Sequence, residues 1–338
     1  MNLALISDFV AAVEDALRAA LDAIPMDSSG FGTMVRYPFG LVDEQGAPFS
    51  GQAGKRIRPA LVLLCADATG CDWRPAVPAA AAVELLHNFS LVHDDVQDDS
   101  PLRHGRPTVW RIWGVANAIN VGDALFALSL HVLQDLRGVG VAPDIVTTAN
   151  RLFTGTALKL TRGQHLDMRF ETVADVSVEA YLEMIAGKTA ALLGVCGQLG
   201  ALIAAGDAVR AEHFGEYALN IGMAFQIRDD ILGIWGDEAI TGKSASSDIV
   251  AHKKSLPVLH GLPLNDELRA LYARPALSPS DVARVVQLLG EVGAQEYAVQ
   301  IEREYTEKAM HALDQAAPTA EGREKLLALT TALFARSS

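Results

Sequence analysis

VELLHNFSLVHDDVQDD, residues 83–99, joins an apolar run to four aspartates, Asp94, Asp95, Asp98 and Asp99, within six positions. In a helix, residues four apart lie on one face, so Asp94 and Asp98 share a face and Asp95 and Asp99 share its neighbour. On an exposed surface such repulsion costs only a few tenths of a kcal/mol per pair, about 0.2–0.5. Here the ten preceding residues are largely apolar, which predicts a helix that enters the core. Carboxylates there repel more strongly and demand cations. No lysine alternates with them, so a divalent metal is the economical answer. The ligands are hard oxygens without a cysteine cluster, which favours magnesium over zinc. Magnesium is commonly shared between one or two carboxylates and substrate phosphates, so a phosphorylated substrate is expected.

A second cluster, FQIRDDILG (225–233), repeats the pattern of an Asp pair after an apolar run. Two facing helices would bring Asp229 and Asp230 to the first cluster. Cations bracket both: Lys55, Arg56 and Arg58 in GKRIRP, then Arg103, Arg106, Lys188, Lys243, Lys253 and Lys254. As a set they suit a diphosphate. His87 lies two turns before Asp94; spacing leaves open whether it donates to a phosphate or is a core residue. His93 is a candidate support for the metal site.

The rest of the 338 residues reads as helix. Half are hydrophobic and a fifth charged, enough to bury a sizeable core. Helical spacing predicts helices near 6–24, 56–69, 75–99, 115–137, 143–170, 177–204, 208–235, 254–273, 279–292, 294–313 and 319–335. Strand alternation and hairpin signals are not evident. Residues 25–53 read as a long loop and 236–253 as a loop beside the site. The expectation is a single all-α domain spanning 1–338. Net charge is −13, a field that repels nucleic acid. Cys65, Cys71 and Cys196 lack metal-ligand spacing and fit a reducing compartment, so a cytoplasmic protein is expected. The first residues lack a basic signal-peptide region. The segment 189–206 approaches spanning length, but its four glycines favour a buried helix, and no transmembrane segment is expected.

Taken in order, GKRIRP, HNFSLVHDDVQD, LRHGRPT, GQHLDM, GKTAAL and FQIRDD make the chain resemble the trans-isoprenyl diphosphate synthases, or polyprenyl synthetases, over roughly 54–257. The resemblance implies an antiparallel helical bundle around a deep central cavity, in a homodimer. It implies that Asp94, Asp98 and Asp229, supported by Asp95 and Asp230, hold three magnesium ions on an allylic diphosphate. Arg103, Lys188 and Lys243 match positions that hold the same diphosphate. Lys55, Arg58 and His87 match positions for isopentenyl diphosphate, and Gln164, Asp167, Thr189 and Gln226 match polar positions near the reacting carbons. The implied reaction is ionisation of the allylic diphosphate, attack by the isopentenyl double bond, and loss of a proton to the released diphosphate.

Two positions depart from the family. His104 stands where a second arginine of the isopentenyl site is usual, with Arg106 a candidate substitute. Gly233 stands where many members carry aspartate, with Asp237 a candidate to face the same way. Product length depends on what lies beneath the first cluster. Phe89 followed by the small Ser90, without a two-residue insertion, resembles the geranylgeranyl diphosphate type; farnesyl diphosphate is the alternative. The rival functions are a type I terpene cyclase, disfavoured by GKRIRP and His87, and a non-catalytic partner subunit, disfavoured by two intact Asp pairs. A di-iron bundle would need a second Glu-x-x-His beside Glu84 and His87.

Overall fold

The structure, a computed structural model, describes residues 7–49, 54, 56–173, 175–236 and 246–334. They are almost wholly helical, as the all-α reading expects. Helix α1 (Ser7–Leu21) buries Phe9, Val13, Leu17 and Leu21, a stripe at four-residue spacing. The stretch expected as loop is partly ordered: α2 (Phe31–Arg36) and a 3₁₀ turn (Tyr37–Phe39) bury Val35, Tyr37 and Phe39. Then come α3 (Ile57–Ala68) and α4 (Val77–Gln97), the latter with proline in its first turn. Fully buried leucines such as Leu63, Leu64, Leu85 and Leu86 cement these two, each contributing about 1.5–3 kcal/mol. Helix α4 stops two residues short of the expected end. The Asp98 N–H still reaches Asp94 O at 2.8 Å, but Asp99 turns left-handed at φ 49°.

The next segment corrects the reading without strands. Leu102–Arg103 (β1) pairs with Arg106–Pro107 (β2) around a two-residue turn. His104 and Gly105 both have positive φ, 51° and 75°, the geometry of a type I′ hairpin. Helices α5 (Val109–Trp113), α6 (Val115–Leu133), α7 (Pro143–Thr172) and α8 (Val178–Ile185) follow. A π-helical turn (Ala186–Ala190) then leads into α9 (Ala191–Ala205). Helix α10 (Ala208–Trp235) begins and ends where its periodicity predicts, with Asp207 capping Val209 N and Arg210 N.

Helix α9 is sandwiched between α3 and α10 because two of its glycines carry no side chain. A Cβ at Gly200 would lie 2.9 Å from the Val62 carbonyl carbon, and one at Gly197 the same distance from that of Phe214. Three helical stretches are long and apolar enough to cross a membrane: Arg74–Gln97, Val115–Arg137 and Val178–Ala205. The first and third are mostly interior, whereas the α6 stretch is only 39% buried.

Beyond α10 lie α11 (Ser247–Val250), α12 (Leu256–Gly261), α13 (Asp266–Tyr272), α14 (Pro279–Glu291), α15 (Ala294–Ala316) and α16 (Ala320–Phe334). The helix expected over 254–273 is thus two helices. Pro263 lies in a 3₁₀ turn between them, and Asn265 restarts the chain by accepting from Leu268 N at 2.9 Å. Tyr181, Ile227, Ile231 and Leu256 form a satellite core beneath the second aspartate pair.

Candidate active site

The C-terminal turn of α4 faces two cavities. Asp94 opens on one of about 240 Å³, shared with Phe89, Gln97, Gln164 and Lys188. Asp95, its sequence neighbour, lines another of about 220 Å³ with Arg58, His87, Arg103 and His104. Burial pushes the Asp94 carboxyl up to about 6; the nearby Asp98 adds to the rise, while Lys188 and Arg103 oppose it. Burial likewise raises Asp95 and Asp98. Asp95 is answered by Arg103, whose Nε and Nη2 lie 2.9 and 2.8 Å from its Oδ1.

The second pair divides differently. Asp230 is fully buried. Tyr181 Oη donates to its Oδ2, the Leu256 N–H reaches the same oxygen at 3.2 Å, and Gln226 Nε2 reaches Oδ1 at 3.2 Å. Lys253 Nζ stands 3.9 Å from that Oδ1. Burial pushes the Asp230 carboxyl up to about 6 despite these partners. Asp229 remains half-buried, with no hydrogen bond or ion pair to another described residue.

The π turn connects the two clusters. Lys188 points into the Asp94 cavity with its Nζ on Asp167 Oδ2. Thr189 Oγ1 donates to Gln226 Oε1 at 2.9 Å, and Gln226 passes the link to Asp230. The turn comes this close because two glycines meet. A Cβ on Gly163 of α7 would lie 2.7 Å from Gly187 C and Lys188 Cα, and closer still to Lys188 N. Gln164 donates to Gln97 Oε1 at 3.0 Å while its own buried Oε1 lacks a partner among the described residues.

In the second cavity Arg58 Nη1 lies 3.1 Å from His87 Nε2. Burial, reinforced by Arg58, depresses the His87 pKa well below its usual value. The ring is neutral, accepts from Arg58 through Nε2 and keeps an N–H on Nδ1 for a ligand. Arg58 Nε is buried without a partner among the described residues. The turn geometry leaves His104 exposed at the cavity rim.

Several expected cations are engaged elsewhere. Arg56 bridges Glu14 at 2.7 Å and Glu84 at 2.6 Å. Arg106, which also lines the Arg58–His87 cavity, lays its guanidinium over the Tyr37 ring at 4.0 Å and donates to the Tyr37 and Val42 carbonyls. Lys254 caps α7 through the Phe170 and Val173 carbonyls. Lys55, Asp237 and Lys243 lie outside the described residues. His93 does not turn toward the aspartates. Its Nε2 is 3.2 Å from Ile119 O, and its ring occupies the space a side chain at Gly122 would need. Below Asp94, Phe89 packs against His93 (4.8 Å) and Phe126 (5.1 Å), while Ser90 Oγ returns to His87 O. Phe126 and Asp248 escaped the sequence reading, since neither lies in a recognisable motif.

Among the described residues no three metal-ligating side chains converge into a cage. The acidic groups are hard oxygen donors whose burial leaves negative charge short of cations. They suit a magnesium ion that takes its remaining ligands from water and a bound phosphate.

Residues 44–289 match the polyprenyl synthetase family. The chain is 41% identical, over 84% of its length and 81% of the relative's, to a geranylgeranyl diphosphate synthase of Mycobacterium tuberculosis. It is 45% identical to a (2E,6E)-farnesyl diphosphate synthase of the same species, over 67% of this chain and 61% of that one. A crystal structure of a polyprenyl synthetase from Streptomyces coelicolor superposes with a TM-score of 0.89 at 37% identity, covering 98% of this chain and 99% of that one.

Proposed function

The chain belongs to the polyprenyl synthetase family and is a prenyltransferase, and from that premise we propose that it condenses an allylic diphosphate with isopentenyl diphosphate to give geranylgeranyl diphosphate. The observation that carries the reading is the pair of cavities on either side of α4, one below Asp94 and one beside Asp95, Arg58 and His87. The first suits the allylic partner, whose tail would run toward Phe89. The second suits isopentenyl diphosphate, with Arg58 and the His87 Nδ1–H as donors and Lys55 as a further cation. Arg103 stands between the two.

Asp94, Asp98 and Asp229 would hold magnesium, three ions in our reading, with Asp95 and Asp230 in support. When bound there, the metal supplies positive charge against the departing diphosphate. Lys188, Arg103 and Lys243 add fixed charge at the same place. Thr189, Gln226, Gln164 and Asp167 orient the reacting ends and the residual polar groups. The apolar lining excludes water from the allylic cation. Its new C–C bond forms with the isopentenyl double bond, and the proton then lost passes to the freed diphosphate.

Phe89, backed by Phe126, is our candidate for the end of the tail channel, with Ser90 leaving room beside it. Farnesyl diphosphate is the runner-up product. Helix α6 exposes Val115 and Ile119 on an apolar face, which supports a homodimer through that face. The whole chain reads as one prenyltransferase domain. An exposed free thiol at Cys71 beside buried Cys65 and Cys196 supports a reducing, cytoplasmic setting. The deciding experiment incubates the purified protein with magnesium, isopentenyl diphosphate and each short allylic diphosphate in turn, with products sized by mass spectrometry. Conversion of geranyl diphosphate in the absence of isopentenyl diphosphate would instead favour a cyclase.

A further inference from the structure

Arg56 stands immediately before α3, with its backbone in the left-handed region at φ 49° and ψ 36°. Few residues other than glycine, asparagine and aspartate adopt that conformation, and it persists where the surroundings over-determine it. Here one buried guanidinium gathers three acceptors. Its Nε donates to Glu14 Oε1 on α1 at 2.7 Å, its Nη1 to Glu84 Oε1 on α4 at 2.6 Å, and its Nη2 to the Phe39 carbonyl at 3.3 Å. The Arg56 carbonyl accepts from Ala60 N at 3.0 Å and so opens the hydrogen-bond ladder of α3. Burial works against the Arg56 charge, but Glu84 and Glu14 outweigh it and hold the pKa above its usual value. Arg56 and Glu84 line the cavity of Arg58 and His87, whereas Glu14 is not among the described residues that line it.

We propose that Glu14 is a positioning residue for the isopentenyl diphosphate cavity: by gripping Arg56 in its left-handed turn, it fixes where the start of α3 presents Arg58 to the ligand. Arg58 is the second residue of that helix. Its side chain meets His87 at 3.1 Å, so its aim depends on the backbone beneath it. Glu84 takes one nitrogen of the Arg56 fork; an acceptor on a second side is what fixes the plane of the guanidinium. Glu14 lies in none of the sequence motifs, yet through this contact α1 acts on the affinity for a substrate it does not touch.

This inference rests on the isopentenyl reading of the cavity, and the test separates the two. Three full-length variants are compared with the parent: Glu14→Ala, Glu14→Gln and Arg18→Ala. KM for each substrate, kcat and melting temperature are measured, and binding of isopentenyl diphosphate without its co-substrate is read by titration calorimetry. Glu14→Ala is expected to weaken isopentenyl binding and raise its KM about three- to tenfold, leaving the allylic KM and kcat near parental. Glu14→Gln keeps an acceptor oxygen for Arg56 Nε and is expected to recover most of that loss. Arg18, 61% exposed and 3.9 Å from the Glu14 carboxylate, provides the control, and Arg18→Ala should behave as the parent does. An acid acting only through its charge would move both Glu14 variants equally, and toward tighter binding, because an anion gains when a nearby negative charge is removed. Parental or tighter isopentenyl binding in Glu14→Ala, no recovery in Glu14→Gln, the same loss in Arg18→Ala, or a fall in kcat and a rise in both KM values together overturns the inference alone. A parent protein that binds no isopentenyl diphosphate overturns the isopentenyl reading and this inference with it.

Discussion

Replacing Gly163 by alanine should disable the site while leaving the fold standing. The added Cβ would lie 2.7 Å from Gly187 C and Lys188 Cα, and nearer still to Lys188 N, where ordinary contact begins at 3.4 Å. All three neighbours are backbone atoms, so no side chain can swing aside. Helix α7 and the π turn must part by roughly an ångström, an overpacking cost of about 1–3 kcal/mol. That corresponds to a melting temperature lower by roughly 2–10 °C. Lys188 and Thr189 sit on the displaced turn, and a shift of this size at positioning groups can cost about 100-fold in kcat. The Arg58–His87 cavity is untouched, so the isopentenyl KM should hold. Gly155 on the same helix provides the control, because nothing lies within 4 Å of its would-be Cβ. Gly155→Ala should keep kcat and gain about 0.5–1 kcal/mol of helix stability. Steady-state kinetics and thermal melts of both variants decide the matter. A Gly163→Ala protein with parental kcat and melting temperature would refute the claim that glycine contact seats Lys188.

Phe89→Ala is expected to lengthen the product, and Phe126→Ala to do so more weakly; an unchanged product distribution by mass spectrometry removes these rings from the channel end. Glu84→Ala strips buried Arg56 of its 2.6 Å partner and should cost about 3 kcal/mol in urea denaturation; no loss would mean Arg56 is not a structural ion. His87 stays neutral in the folded protein below its usual 6.5, so in that window the unfolded chain binds more protons. Stability should therefore rise with pH up to about 6.5 and fall as pH drops below it. His87→Gln should flatten this slope, read from denaturation curves across pH; a parental slope in the variant would assign the titration to another group.

The helices were legible where helix-forming residues run on without proline, as in α10, which is buried on nearly every face and whose bounds match the expected 208–235. They were less legible where proline cuts an otherwise helical pattern, as Pro263 does between α12 and α13. The hairpin was hidden because histidine, not asparagine or aspartate, takes the first left-handed position of its turn. Motif order singled out Arg58, His87, Asp94 and Lys188, which line the two cavities, but a string of letters does not say which neighbouring cation is already engaged. Arg56 and Arg58 differ by two positions, yet one is locked between Glu14 and Glu84 and the other keeps a free Nε–H among the described residues. Lys253 and Lys254 divide the same way, one toward Asp230 and one onto the end of α7. Asp248 was invisible for a related reason. It lies against the bare face of Gly233, a contact between α10 and α11 that no motif records.

Because Asp94 and Asp95 are consecutive on one helix end yet line different cavities, a tilt of that turn would reach both. Were a ligand in one cavity to tilt it, the affinity of the other would change, and thermodynamic reciprocity would make that change equal in both directions.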